Sequence, residues 1–104
     1  MKRAKRRYLA LQLECEGLPT EREFMDAVWA SATKLYGEVG ASLAGFALIN
    51  FDGERKIFVV RVSLVSLPMA KSSLATVTAV AGTAASIHVL AVSGTLKALY
   101  ANIH

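Results

Sequence analysis

The sequence predicts an α/β fold of the α+β sandwich kind, an antiparallel sheet with helices packed on it. Three observations predict it. Apolar and polar residues alternate from Tyr8 to Cys15, which is the period of a half-buried strand. A capping signature at Thr20 and Glu23 then opens a stretch of helical period. Finally, two apolar runs flank Asp52-Gly53, a hairpin signal.

Taken in order, the first strand places Leu9, Leu11, Leu13 and Cys15 on one side and Tyr8, Ala10, Gln12 and Glu14 on the other. Gly17-Leu18-Pro19 breaks it. Thr20 caps the first helix and Glu23 completes a capping box. Phe24, Val28, Ala32, Leu35 and Val39 form its apolar stripe, with Met25, Trp29 and Tyr36 on the flank, and Gly40 is the expected end. Trp29 has the chemistry of a stacking platform, but its helical spacing places it in the core.

Leu43 to Phe51 reads as the second strand and Lys56 to Leu64 as the third, joined at Asp52-Gly53, where glycine tolerates positive φ. On the third strand Phe58, Val60, Val62 and Leu64 share one face, and Ile57, Val59, Arg61 and Ser63 the other. Arg61 is a mid-strand charge among apolar neighbours. Three readings stand for it: it snorkels to the sheet edge, meets an RNA phosphate, or meets a partner carboxylate.

Pro68 suits the first turn of a second helix with the stripe Ala70, Leu74 and Val77, and Gly82 is the expected stop. Ala85 to Val92 is the last strand. It runs into Ser93-Gly94-Thr95, where Ser93 is the expected cap of a closing helix carrying Leu96, Leu99, Tyr100 and Ile103 on one face. The exposed amides of that helix start can also hold a phosphate, so a cap and a phosphate site both stand. The order β-α-β-β-α-β plus a C-terminal helix is the split arrangement of ferredoxin-like and RNA-recognition-like folds. Apolar residues on both faces of the middle strands call for a cover on the second face as well, supplied by the terminal helix or by another protein.

The 104 residues make a single domain, 1–104. With 54% hydrophobic and 19% charged residues it is apolar for its size, yet no run reaches the roughly 18 residues of a membrane span. A single cysteine, Cys15, cannot form an internal disulfide; it reads as packing and fits a reducing, cytoplasmic location. The net charge of +4 is localised. Five of the twelve basic residues, Lys2, Arg3, Lys5, Arg6 and Arg7, form an N-terminal arm 1–7, and from Tyr8 onward seven basic residues face eight acidic ones. Such an arm is either a phosphate-contacting element or a solubilising flank.

Catalytic groups are not apparent. His88 lies within a strand and His104 ends the chain; with Cys15 they make no recognisable metal set. Ser93 sits in Val-Ser-Gly rather than in a nucleophile elbow, and no glycine-rich phosphate loop occurs. The segment Arg55 to Val62 carries one aromatic, so base stacking of the usual RNA-recognition kind is not supported.

Over nearly its whole length the chain resembles the ribonuclease P protein component 2 family, small subunits of a tRNA-processing ribonucleoprotein. The resemblance is carried by Val89-Leu90-Ala91-Val92-Ser93-Gly94-Thr95-Leu96-Lys97. Supporting pieces are the basic start into Arg7-Tyr8, Gly37-Glu38-Val39-Gly40, Val60-Arg61-Val62 and Ser73-Leu74-Ala75. Members often carry further basic residues just after the position of Arg61, whereas here Ser63-Leu64-Val65 follows. The resemblance implies a subunit without an active site of its own. It would support a catalytic RNA that uses magnesium ions to remove the 5′ leader from precursor tRNA. Implied partners are ribonuclease P RNA, ribonuclease P protein component 3 and, indirectly, precursor tRNA, with self-association as a further expectation and no membrane contact. The expected RNA-binding residues are Lys2, Arg3, Lys5, Arg6, Arg7, Arg61, Ser93, Gly94, Thr95 and Lys97. The alternatives are a ferredoxin-like regulatory module for a small ligand and a stand-alone RNA-binding chaperone.

Overall fold

A computed structural model describes residues 5–103. The elements are β1 (Arg6–Cys15), α1 (Glu21–Ala44), β2 (Ala47–Asp52), β3 (Ile57–Ser63), α2 (Leu67–Ala75), β4 (Ala79–Val80), β5 (Thr83–Ser93) and α3 (Leu96–Asn102). The strands make one five-stranded sheet in the order β2-β3-β1-β5-β4, antiparallel at every pairing. The split β-α-β architecture is as expected, with β4 as a short additional edge.

α1 and α2 cover one face. There Leu9, Leu11 and Leu13 of β1 and Phe58, Val60 and Val62 of β3 bury against Phe24, Val28, Ala70 and Leu74. Phe58 is the centre of this layer, stacked between Phe24 and Phe51 at centroid distances of 3.8 and 4.3 Å. α3 covers the other face, where Leu99 meets Ala10, Ile57 and Val59. Leu96, Tyr100 and Ile103 border that contact, so the terminal helix supplies the second cover.

Two bulges keep these layers in phase. In β5 the register passes from Val89 opposite Leu11 to Ala91 opposite Ala10, leaving Leu90 as the extra residue. Strict alternation would put Ile87 and Val92 on opposite faces; the bulge lets both pack on the helix-covered side. In β2 the register skips Ile49 between Leu48 and Asn50. Leu48 and Phe51 therefore both join the main core, while Ile49 joins the α3 side.

Several local expectations are corrected. α1 does not end at Gly40. It breaks at Gly37 (φ 75°), resumes, and is closed by Gly45 (φ 64°). Those left-handed angles suit a residue without Cβ, and Gly40 is not at either of them. Leu43 consequently lies in the helix, and β2 starts at Ala47. Leu35 and Val39, predicted core, are exposed; the break at Gly37 interrupts the stripe, and past it Ala41 and Ala44 are the buried residues instead. Trp29 is likewise not core: 43% of its surface is accessible. At the hairpin, Lys56 rather than Gly53 takes the positive φ (53°). Oδ1 of Asp52 fixes the turn by accepting from the amides of Glu54 and Arg55 at 3.1 and 3.2 Å. Gly82 does not stop a helix; α2 has already ended at Ala75, and Ala81-Gly82 turn β4 into β5. The Thr20–Glu23 capping box is present as expected, with hydrogen bonds of 2.8 and 3.1 Å.

Candidate nucleic-acid interface

The basic start is part of the sheet. The amide of Leu64 donates to the carbonyl of Lys5 at 2.9 Å, and β1 proper begins at Arg6. Arg6 and Arg7 are thus strand residues held in register opposite Ser63 and Val62. Lys2 and Arg3 lie outside the described residues, as does His104.

Tyr8 organises this end of the sheet. It sits directly between Arg61 of β3 and Ser93 of β5, so three strands present Arg61, Tyr8 and Ser93 in one row. Next to the row, Arg6, Arg61, Ser63 and Gly45 line a concavity of about 320 Å³ with no acidic side chain at its wall. Among the described residues no salt bridge involves Arg6 or Arg61. Two guanidinium groups around an acid-free hollow form a site suited to a phosphate.

On the other side of Tyr8 the strand-to-helix junction meets Arg7. Nη1 of Arg7 donates to the carbonyl of Arg6 at 2.9 Å. A Cβ on Gly94 would lie 3.4 Å from the same nitrogen, so Gly94 gives the guanidinium room against the junction. The expected cap is corrected here. Thr95, not Ser93, is the N-cap of α3, its hydroxyl accepting from the amide of Ala98 at 3.2 Å. Ser93 ends β5, and its Oγ accepts more loosely from the amide of Thr95 at 3.4 Å. Lys97 is exposed on the first turn of α3.

Of the predicted residues, Arg6 and Arg61 line one hollow and Arg7 lies against Gly94 of the Ser93-Gly94-Thr95 junction, with Tyr8 in register between Arg61 and Ser93; Lys97 follows on α3. Tyr8, Ser63 and Gly45 carry no sequence signal for this place: strand register brings Tyr8 and Ser63 there, and the end of α1 brings Gly45. Elsewhere, His88 lies 3.4 Å from Glu14 on the exposed β1–β5 surface. Among the described residues no three His, Cys, Asp or Glu side chains gather as a metal set, and no helix is long and apolar enough to cross a membrane.

Fold and site together define a ferredoxin-like α+β domain with a cationic end to its sheet. Residues 7–103 match the model of the Rpp14/Pop5 family, and the chain belongs to that family. It is 35% identical over 95 residues to ribonuclease P protein component 2 of Methanosarcina mazei, covering 91% of this chain and 80% of that protein. The protein of the same name from Pyrococcus horikoshii is 32% identical over 97 residues, covering 93% and 81%. A chain in the cryo-EM structure of yeast ribonuclease MRP shares the fold, with a TM-score of 0.75 at 14% identity, over 92% of this chain and 79% of that one.

Proposed function

We propose that this single domain is a non-catalytic protein subunit of ribonuclease P, supporting a catalytic RNA in removing the 5′ leader from precursor tRNA. The observation that carries the reading is membership of the family over residues 7–103. The cationic sheet end supports it. Arg6, Arg7, Arg61 and Lys97, with the arm residues Lys2, Arg3 and Lys5, are the groups that meet RNA phosphates. The hydroxyls and amides of Ser93-Gly94-Thr95 offer further phosphate donors at the junction.

The physical role is electrostatic. Folding an RNA brings phosphates close together and confines counterions; fixed guanidinium and ammonium groups replace part of that counterion requirement. Magnesium belongs to the RNA in this scheme and none is held by the chain. The second partner is a protein, ribonuclease P protein component 3. Apolar side chains along the outer side of α1 support a protein contact: Val39 is 76% exposed, and Trp29, Tyr36 and Leu43 are exposed with it. The same surface would drive self-association when no partner is present. The complex is assigned to the cytoplasm.

The test is a reconstituted cleavage assay on precursor tRNA at limiting magnesium, with and without this chain and its protein partner. The expected result is a higher cleavage rate and a lower magnesium requirement when the chain is present, and no cleavage by the protein alone. Cleavage without RNA, or no effect on the RNA at any magnesium level, overturns the reading.

A further inference from the structure

We propose that the crevice between the β2–β3 hairpin and α3 receives one unstacked base of the bound RNA strand. This rests on the RNA-subunit reading and adds a base-contacting site to its phosphate contacts. The crevice holds about 170 Å³, below the roughly 300–1,000 Å³ of drug-sized ligand sites, and a single planar ring system suits that space. Its floor is apolar: Ile57 and Val59 are 4% and 3% exposed. Asn50, Asp52, Arg55 and Tyr100 border it, with Ile103 closing the end.

The polar border is assembled rather than incidental. The β2 bulge sets Asn50 opposite Val59, on the side that α3 covers, and its amide donates to the Tyr100 hydroxyl at 3.1 Å. Because that hydroxyl accepts from Asn50, its own proton is left for another acceptor. Arg55 ties the far end of α3 to the hairpin by donating to the carbonyl of Ile103 at 2.9 Å. Asp52 uses Oδ1 in the turn, and among the described residues no group donates to its Oδ2. The border therefore offers the Tyr100 hydroxyl and the remaining Arg55 N–H groups as donors and the Asp52 carboxylate as acceptor above an apolar floor. Every RNA base carries a neighbouring donor and acceptor on its Watson–Crick edge, and a planar guanidinium such as that of Arg55 suits its face. From Ile57 to Arg61 along β3 is about 13 Å at roughly 3.3 Å per residue, so a short run of nucleotides links this crevice to the phosphate-binding end of the sheet.

The experiment follows backbone amide shifts of the full chain on titration with three probes. They are a short single-stranded oligoribonucleotide, the same oligonucleotide with abasic ribose at every position, and a free nucleoside monophosphate. The base-bearing oligonucleotide should move Asn50, Asp52, Tyr100 and Ile103 as well as Arg6, Arg7 and Gly94, whereas the abasic one should move only the second group. Tyr100→Phe, which keeps the ring and the charge, should weaken the base-bearing oligonucleotide by about two- to tenfold, the effect of one hydrogen bond, and leave the abasic one unchanged. Shifts confined to Arg6, Arg7 and Gly94 with every probe overturn the crevice and leave the RNA-subunit reading intact. No shift at either place removes both. Equal crevice shifts with and without bases, or a mononucleotide that binds there as tightly as the oligonucleotide, also overturn the proposal.

Discussion

The helix-covered face of the sheet and the face under α3 are built to different depths. On the first, six large side chains of β1 and β3 (Leu9, Leu11, Leu13, Phe58, Val60 and Val62) close against two helices. On the second, Ala10, Ile57 and Val59 meet one buried residue, Leu99, of a seven-residue helix. The second layer is edged by polar groups: Asn50 and Tyr100 at the hairpin end, and Arg61, Ser93 and Lys97 at the other. The difference shows a division of labour. Burial of large apolar area stabilises the fold on one side, while the thin layer on the other leaves polar and cationic groups at the surface where a polyanion can reach them.

Truncating one buried side chain on each face separates their contributions to stability. Phe58→Ala removes the ring between Phe24 and Phe51 and should cost about 3–5 kcal/mol of unfolding free energy. Leu99→Ala should cost about 2–3 kcal/mol, the low end for a buried leucine, because a short helix on a thin layer can settle into the space. Urea denaturation measures both; equal losses would show that the two faces contribute alike.

The caps come next. Thr20→Ala should cost about 1 kcal/mol globally, since α1 is integral to the main core. Thr95→Ala should cost about as much at α3 and speed hydrogen exchange there before elsewhere. Ser93→Ala should stay within about 0.5 kcal/mol, because Thr95 and not Ser93 carries the cap. A larger loss at Ser93 than at Thr95 in thermal or urea unfolding would reverse that assignment.

The smallest stability effects belong to the cationic end, where binding should change instead. Arg6→Gln and Arg61→Gln should each stay within about 0.5 kcal/mol of wild-type stability. Each should lower the log–log salt slope of RNA binding by about 1 unit if it meets one phosphate. Neutralising Lys2, Arg3, Lys5, Arg6 and Arg7 together should lower that slope by at most about 4 to 5 units. An unchanged slope with unchanged affinity would leave the basic start as a solubilising flank only.

Features closed within a few residues are legible before folding. The Thr20–Glu23 box is such a feature, because both of its hydrogen bonds close inside one helical turn. So is the two-sided pattern of β1 and β3, because alternation is set by the pleat, and so is the apolar stripe of α3. Tertiary structure decided what depends on where one element ends relative to another. Trp29 and Leu35 keep helical spacing yet are exposed, and the break at Gly37 moves burial from Val39 to Ala41 and Ala44, a shift of phase that period alone does not reveal. The Leu90 and Ile49 bulges are invisible to alternation counting, yet they determine which side Ile87, Val92 and Asn50 occupy. The choice of Thr95 over Ser93 as cap rests on the residue at which β5 releases the chain, since both hydroxyls are competent. The candidate interface is the extreme case. Arg6, Tyr8, Arg61 and Ser93 are far apart in the chain and become one surface only through hydrogen-bond register across three strands.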